Sequence, residues 1–166
     1  MGTVPLTNGF AMEIQHLLSP DSVYSGLKAS SKRQALQELA ERASTVTGIP
    51  AREILETILG RERLGTTGVG QGVAIPHGRL EKINRLYGLF ARLDDPIDFE
   101  SIDDQPVDLI FMLLAPESAG ADHLKALAKV SRLLRDRAMC DKLRGADGPG
   151  ALYALLTQNP AQTNAA

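Results

Sequence analysis

The residues with the most chemistry to offer lie in one stretch, positions 65–79, which reads Gly-Thr-Thr-Gly-Val-Gly-Gln-Gly-Val-Ala-Ile-Pro-His-Gly-Arg. An imidazole offers a neutral nucleophilic nitrogen near pH 7, so His77 is the candidate reacting group. Gly65, Gly68, Gly70 and Gly72 leave backbone N–H groups unshielded, which lets the chain fold closely about an anion. Thr66 and Thr67 add two hydroxyls to that lining. Val73-Ala74-Ile75 is a short β-prone run, and Pro76 biases Ile75 toward extended backbone, so His77 is expected at a strand end. Gly78 sets no side chain against the imidazole, and Arg79 adds a positive charge. The same spacing also suits a turn-rich connection that carries a structural histidine.

Two familiar phosphate motifs do not fit. A nucleotide P-loop needs a lysine and a hydroxyl after its last glycine, and no Gly-Lys-Ser/Thr occurs in the chain. A dinucleotide fingerprint needs a strand before it and a helix after it, whereas a helix-like segment precedes this loop and Val-Ala-Ile-Pro comes after it.

The elements that must position these residues are legible in part. Residues 11–18 suit a short helix, in which His16, with no glycine, arginine or second histidine near it, reads as structural or exposed. Residues 23–27 suit a strand. Ser30 or Ser31 can cap a helix whose Ala35, Leu36, Leu39, Ala40, Ala43 and Val46 recur at helical spacing until Gly48-Ile49-Pro50 stops it. A second helix is expected over 51–62, with Ile54, Leu55, Ile58 and Leu59 inward, and Arg61 and Arg63 at its end can each reach an anion in the glycine loop. Residues 87–93 alternate as a strand, Asp94-Asp95-Pro96 reads as a turn, and 97–99 suits another short strand. Residues 107–115 are nearly continuously apolar, as in a strand buried on both faces. Asp94, Asp95, Asp98, Asp103 and Asp104 lack calcium-loop spacing and read as turn residues. A helix opening at Gly120-Ala121-Asp122 is expected to turn Leu124, Leu127, Val130, Leu133 and Leu134 inward. It places His123 in its first turn, where unpaired N–H groups favour an anion, although a capping or exposed histidine fits as well. Two further helices, near 138–144 and 150–158, complete the pattern.

Composition narrows the function. The 166 residues suit one domain, expected over 11–158 between a flexible lead-in at 1–10 and a disordered tail at 159–166. Eighteen basic residues against twenty acidic ones, net −2, provide no basic footprint for nucleic acid. Cys140 has no partner for a disulfide and reads as a buried thiol, and no tetrahedral metal set or cofactor motif is present. The longest apolar run is too short to span a bilayer and no secretory signal is evident, so a cytoplasmic protein without membrane insertion is expected.

Three motifs then converge. Arg61-Glu62-Arg63-Leu64-Gly65-Thr66-Thr67-Gly68, Gly72-Val73-Ala74-Ile75-Pro76-His77-Gly78-Arg79 and Asp104-Gln105-Pro106-Val107-Asp108-Leu109, with His123-Leu124 opening a helix, resemble the EIIA domains of the mannitol/fructose class of the bacterial phosphotransferase system, nearest to their nitrogen-regulatory branch. The resemblance spans about residues 15–158. It implies a mixed β-sheet flanked by helices on both faces and no cofactor. It implies that His77 accepts a phosphoryl group, as a tele-phosphohistidine, from a carrier of the HPr or NPr type, with Arg61 and His123 beside it and Thr66, Thr67, Gly68, Gly70, Gly72 and Gly78 lining the phosphate. The residues alone leave open which ring nitrogen reacts. Arg63, Thr66 and Arg79 stand where lysine, serine and lysine are usual, and each retains the charge or the hydroxyl. The expected output is regulatory, on a transporter, a sensor kinase or transcription control. A sugar-specific EIIA that feeds a separate EIIB, and an anion-binding domain that is never phosphorylated, are the alternatives.

Overall fold

The computed structural model describes residues 12–158, so the expected lead-in and tail lie outside the described residues. The described residues form five helices and six strands in the order β1 (Val23–Leu27), α1 (Lys32–Thr47), α2 (Ala51–Glu62), β2 (Gly68–Gly70), β3 (Val73–Ala74), β4 (His77–Leu80), β5 (Tyr87–Ile97), β6 (Val107–Pro116), α3 (Ala121–Arg135), α4 (Arg137–Gly145) and α5 (Pro149–Leu156). Strong local signals set the first helix. The Ser31 side chain accepts the Gln34 N–H at 3.1 Å as N-cap, and Gly48 closes the helix at φ 80°.

The sheet is mixed, in the order β1-β5-β6-β3-β2, with β4 also paired to β6. β5 and β6 run antiparallel, whereas β3 and β4 lie one after the other along the far edge of β6, both parallel to it. β6 is therefore the axis of the molecule, and its sequence explains why. Val107, Ile110, Met112 and Leu114 pack toward α1 and α2, while Leu109, Phe111 and Leu113 pack toward α3, α4 and α5. Alternating side chains that are all apolar require cover on both faces, and the helices provide it. This is the single α/β domain with helices on both faces that the sequence predicts.

Local expectations fail in four places, the first being the separate strand expected over 97–99: Ile97 ends β5, and Asp98 and Phe99 follow it as loop. The described part of the first expected helix is a 3-10 turn, Ile14–His16, in which Nδ1 of His16 accepts the Glu13 N–H; a second such turn lies at Pro20–Ser22. The Asp94-Asp95-Pro96 turn is instead an irregularity inside β5: its pairing with β6 shifts register between Arg92 and Ile97, which absorbs the missing proline N–H without ending the strand. The inner stripe of α3 is His123, Ala126, Val130 and Leu134, and Leu124 is 65 % exposed. Leucine periodicity misplaces that stripe because the flanking leucines are at its margins, and the imidazole is turned in.

One contact sets how closely α2 approaches β4. A Cβ on Gly78 would lie 2.8 Å from Cγ2 of Thr57 and 3.5 Å from Cδ1 of Ile58. The missing side chain thus admits α2 one turn before Arg61. Gly78→Ala is expected to push the helix outward and lower stability by about 1–3 kcal/mol, seen as a lower denaturant midpoint with unchanged m.

Candidate functional site

His77 opens β4 at the point where Pro76 interrupts the line along β6. Its Nδ1 lies 2.8 Å from the Ile75 carbonyl. A carbonyl only accepts, so in the neutral ring the proton resides on Nδ1 and the Nε2 lone pair is free. The ring is half-buried.

His123 approaches from the first turn of α3, with ring centroids 5.7 Å apart and planes inclined at 69°. It is 5 % exposed. Nε of Arg79 donates to its Nδ1 at 3.1 Å; because a guanidinium only donates, the neutral ring carries its proton on Nε2. That Nε2 is buried without a protein partner. Buried donors are rarely left unpaired, so this Nε2–H is available to an acceptor oxygen.

Cations surround both rings. Arg61 occupies the last turn of α2, its Nη1 bonded to the Gly65 carbonyl at 2.9 Å. Burial lowers the pKa of His77; the Ile75 carbonyl opposes this, the Arg61 charge lowers it further and Glu62 raises it. Burial likewise lowers the pKa of His123, with the charges of His77 and Arg79 adding to the effect. Both rings are thus held neutral to lower pH than a free imidazole.

The glycine loop is placed differently from an anion cradle. Thr66 Oγ1 donates to the Phe99 carbonyl at 3.0 Å and accepts the Gly68 N–H. Both the N–H and the hydroxyl of Thr67 donate to the Glu62 carboxylate. Gly68 lies against Ser101, where any Cβ would collide. Gly70 and Gly72 form the hairpin turn between β2 and β3, with φ of 108° and 83°. There they abut Asp103 and the Asp108–Arg144 pair. The Gly72 carbonyl bonds to Leu109 N–H, whereas His77 pairs with Leu113. These positions are four residues apart on β6, about 13 Å along a strand. The structure therefore brings His77, His123, Arg61 and Gly78 together, holds Thr66, Thr67 and Gly68 in structural bonds and contacts beside them, and sets Gly70 and Gly72 at the other end of β6.

Two partnerships carry no sequence signal. Arg79 and His123 are 44 positions apart, and Glu62 reads as one more polar residue at the end of a helix. Exposed apolar side chains also gather on the elements that carry the site: Leu64 (83 %) beyond Arg61, Val69 on β2, Ile102, whose N–H bonds to the Gly68 carbonyl, and Leu124 next to His123. A cleft of about 550 Å³ lies nearby, lined by Ser30, Ser31, Lys32, Arg33, Glu62 and Arg63 and by neither imidazole. Among the described residues no group of His, Cys, Asp and Glu side chains could hold a metal ion, and no helix is long and apolar enough to cross a membrane. Cys140 is the buried thiol expected, its Sγ donating to the Leu134 carbonyl.

Fold and site together define an α/β domain built to present one imidazole, with a second imidazole and two guanidinium groups close by. Residues 16–159 match the family model described as "Phosphoenolpyruvate-dependent sugar phosphotransferase system, EIIA 2". The chain belongs to that family, as its motifs suggest. It is 57 % identical over 150 residues to a nitrogen regulatory protein of Bradyrhizobium diazoefficiens, covering 90 % of this chain and 98 % of the relative. It is 38 % identical to one of Escherichia coli, covering 90 % and 93 %. Among solved structures it is similar to the nitrogen regulatory protein IIA-Ntr of Neisseria meningitidis, with a TM-score of 0.83 and 32 % identity over 87 % of this chain and 99 % of that one.

The lowered pKa values have a signed consequence. Unfolded imidazoles take up protons near pH 6.5, and the native rings do so only below it. Between those values the unfolded chain binds more protons, so the contribution of these groups to stability is complete above about pH 6.5 and is lost as pH falls through that window. NMR titration is expected to place both midpoints below about 6.5, and Arg61→Ala is expected to raise that of His77.

Proposed function

We propose that His77 accepts a phosphoryl group on Nε2 from the phosphohistidine of an HPr- or NPr-type carrier, and that the protein acts as a nitrogen-regulatory switch. The observation that carries this reading is the engagement of Nδ1 by the Ile75 carbonyl, which leaves Nε2 free, with the His123 ring and its unpaired Nε2–H 5.7 Å away between ring centroids. In the transfer, the Nε2 lone pair forms a new N–P bond as the carrier's N–P bond breaks, and that electron pair returns to the carrier imidazole. The proton on Nδ1 stays where it is. One phosphohistidine replaces another, so no nucleotide, metal or water is consumed.

Positioning and charge do most of the work in such transfers. The Arg61 fork can leave the Gly65 carbonyl to meet two phosphoryl oxygens, and the His123 Nε2–H can meet a third. Leu64, Val69, Ile102 and Leu124 are the exposed apolar side chains on which the carrier and later partners dock. Phosphorylation sets roughly two negative charges within that surface, which alters which proteins bind. These partners are a transporter, a sensor kinase or transcription control. A regulatory output is favoured by 57 % identity across nearly the full length of a relative named as a nitrogen regulatory protein. The sugar wording of the family description supports a second reading, onward transfer to an EIIB partner.

Incubation with phosphorylated carrier is expected to give acid-labile, base-stable label in the wild type and none in His77→Ala. Label retained by His77→Ala refutes the assignment. Arg61→Ala and His123→Ala are each expected to slow transfer by about 100-fold, the usual effect of losing one charge-stabilising donor. Rapid passage of label to an EIIB domain would favour the sugar reading, and partners captured differently by wild type and His77→Asp would favour the regulatory one.

A further inference from the structure

The carboxylate of Glu62 is buried at the last position of α2, its side chain 4 % exposed. Three donors converge on it: the Thr67 N–H at 3.0 Å, the Thr67 hydroxyl, and Nζ of Lys32 at 2.9 Å. A buried carboxylate needs that many partners, and they come from two residues with different structural tasks. Lys32 is the first residue of α1, and its ammonium also reaches Glu100 at 3.3 Å and lies 4.7 Å from the centroid of the Phe99 ring. Thr67 opens the hairpin. Arg61 immediately precedes Glu62.

The connection then continues to the reacting ring. The Thr67 carbonyl accepts the Ile75 N–H at 3.0 Å, and the Ile75 carbonyl accepts from Nδ1 of His77 at 2.8 Å. Leu113 N–H holds the next carbonyl, that of Pro76, at 2.9 Å. Ile75 is thus anchored from two sides, through Leu113 on β6 and through Thr67 on Glu62. Only the second anchor is a side chain, and it is the one that also ends the helix presenting Arg61.

From this geometry we infer that Glu62 is a positioning residue for the transfer: through Thr67 and Ile75 it fixes the His77 tautomer, and through the end of α2 it fixes Arg61 relative to that ring. The inference rests on the reading of His77 as phosphoryl acceptor. Its local part, the tautomer, is a property of the unphosphorylated protein. Without the carboxylate, Thr67 loses the group that aligns its peptide, the Ile75 carbonyl is free to turn, and the Nδ1–H form of His77 loses its advantage over the Nε2–H form. The latter has its lone pair on the wrong nitrogen.

The test uses the full-length protein with 15N-labelled histidine, measured above the pKa values of both imidazoles. The two ring nitrogens of His77 are expected to resonate far apart in the wild type, as they do when one of them holds the proton. Glu62→Gln, which keeps the shape and one acceptor but loses the charge, is expected to bring them together and to slow phosphoryl uptake by about tenfold or more, the scale on which small misplacements act. Thr67→Val, which removes only the hydroxyl, is expected to move both readouts in the same direction by less. A wild-type nitrogen separation in folded Glu62→Gln overturns the inference. So does the same result in Thr67→Val if Glu62→Gln does not fold, and so does a narrowed separation with an unchanged transfer rate. Failure of the wild type itself to take up phosphate refutes the acceptor reading instead, and the nitrogen resonances still decide the role of Glu62.

Discussion

The site depends on one unpaired sheet carbonyl. In extended backbone the N–H and C=O of a residue point to the same edge, and the Ile75 N–H points toward the hairpin, where Thr67 receives it. Its carbonyl points the same way, toward Thr67, the residue opposite Ile75 in the hairpin register, but the Thr67 N–H is taken by the Glu62 carboxylate. No backbone N–H is left to donate. Pro76, the next residue, has no N–H to offer its own neighbour on β6. An imidazole two residues on supplies the missing donor, and in doing so commits its proton to Nδ1. A backbone accounting problem at a sheet edge and the choice of reactive nitrogen are therefore one interaction.

Electrostatics around the two rings suit the product of the proposed transfer better than its starting state. In the resting protein, burial and the charges of Arg61 and Arg79 lower the pKa values of His77 and His123. Arg61 is bonded to a carbonyl and Arg79 to a neutral imidazole, so neither bond cancels the charge it carries. A phosphoryl dianion inverts this balance, because the cations that disfavour an imidazolium stabilise the phosphorylated ring. The Nε2–H of His123 is in place beforehand, whereas Arg61 exchanges its bond to the Gly65 carbonyl for the arriving charge.

Where the chain reads correctly from sequence, the information is local. α1 has a serine cap and a terminal glycine, α2 matches its expected bounds to the residue, and β6 is a nearly continuous apolar run between prolines, broken only by Asp108. Each signal operates within a few residues. The failures require knowledge of distant partners. Asp94-Asp95-Pro96 has the composition of a turn, but β6 alongside it keeps β5 extended. His123 reads as a polar residue at a helix start, and only Arg79, far away in sequence, explains why it can be turned into the core. The glycines of the hairpin look like an anion cradle because glycine marks any close backbone approach. Asp103 and Arg144 are the groups that approach Gly70 and Gly72.

An open site suits a switch better than a deep one would. His77 is half-buried, and Leu64 and Leu124, on the elements that carry Arg61 and His123, are largely exposed. Covering a neutral imidazole is cheap. Covering a phosphoryl dianion without matching cations costs several kcal/mol in effective desolvation, by analogy with other buried ions, and each 1.4 kcal/mol is about tenfold in affinity. If His77 takes up the proposed phosphoryl group, one modification would separate two classes of partner: apolar surfaces for the unmodified face, and surfaces with an arginine or lysine at their centre for the modified one. Selection of that kind would need no movement of the sheet, since the His77 ring is held by the Ile75 backbone carbonyl rather than by a mobile lid.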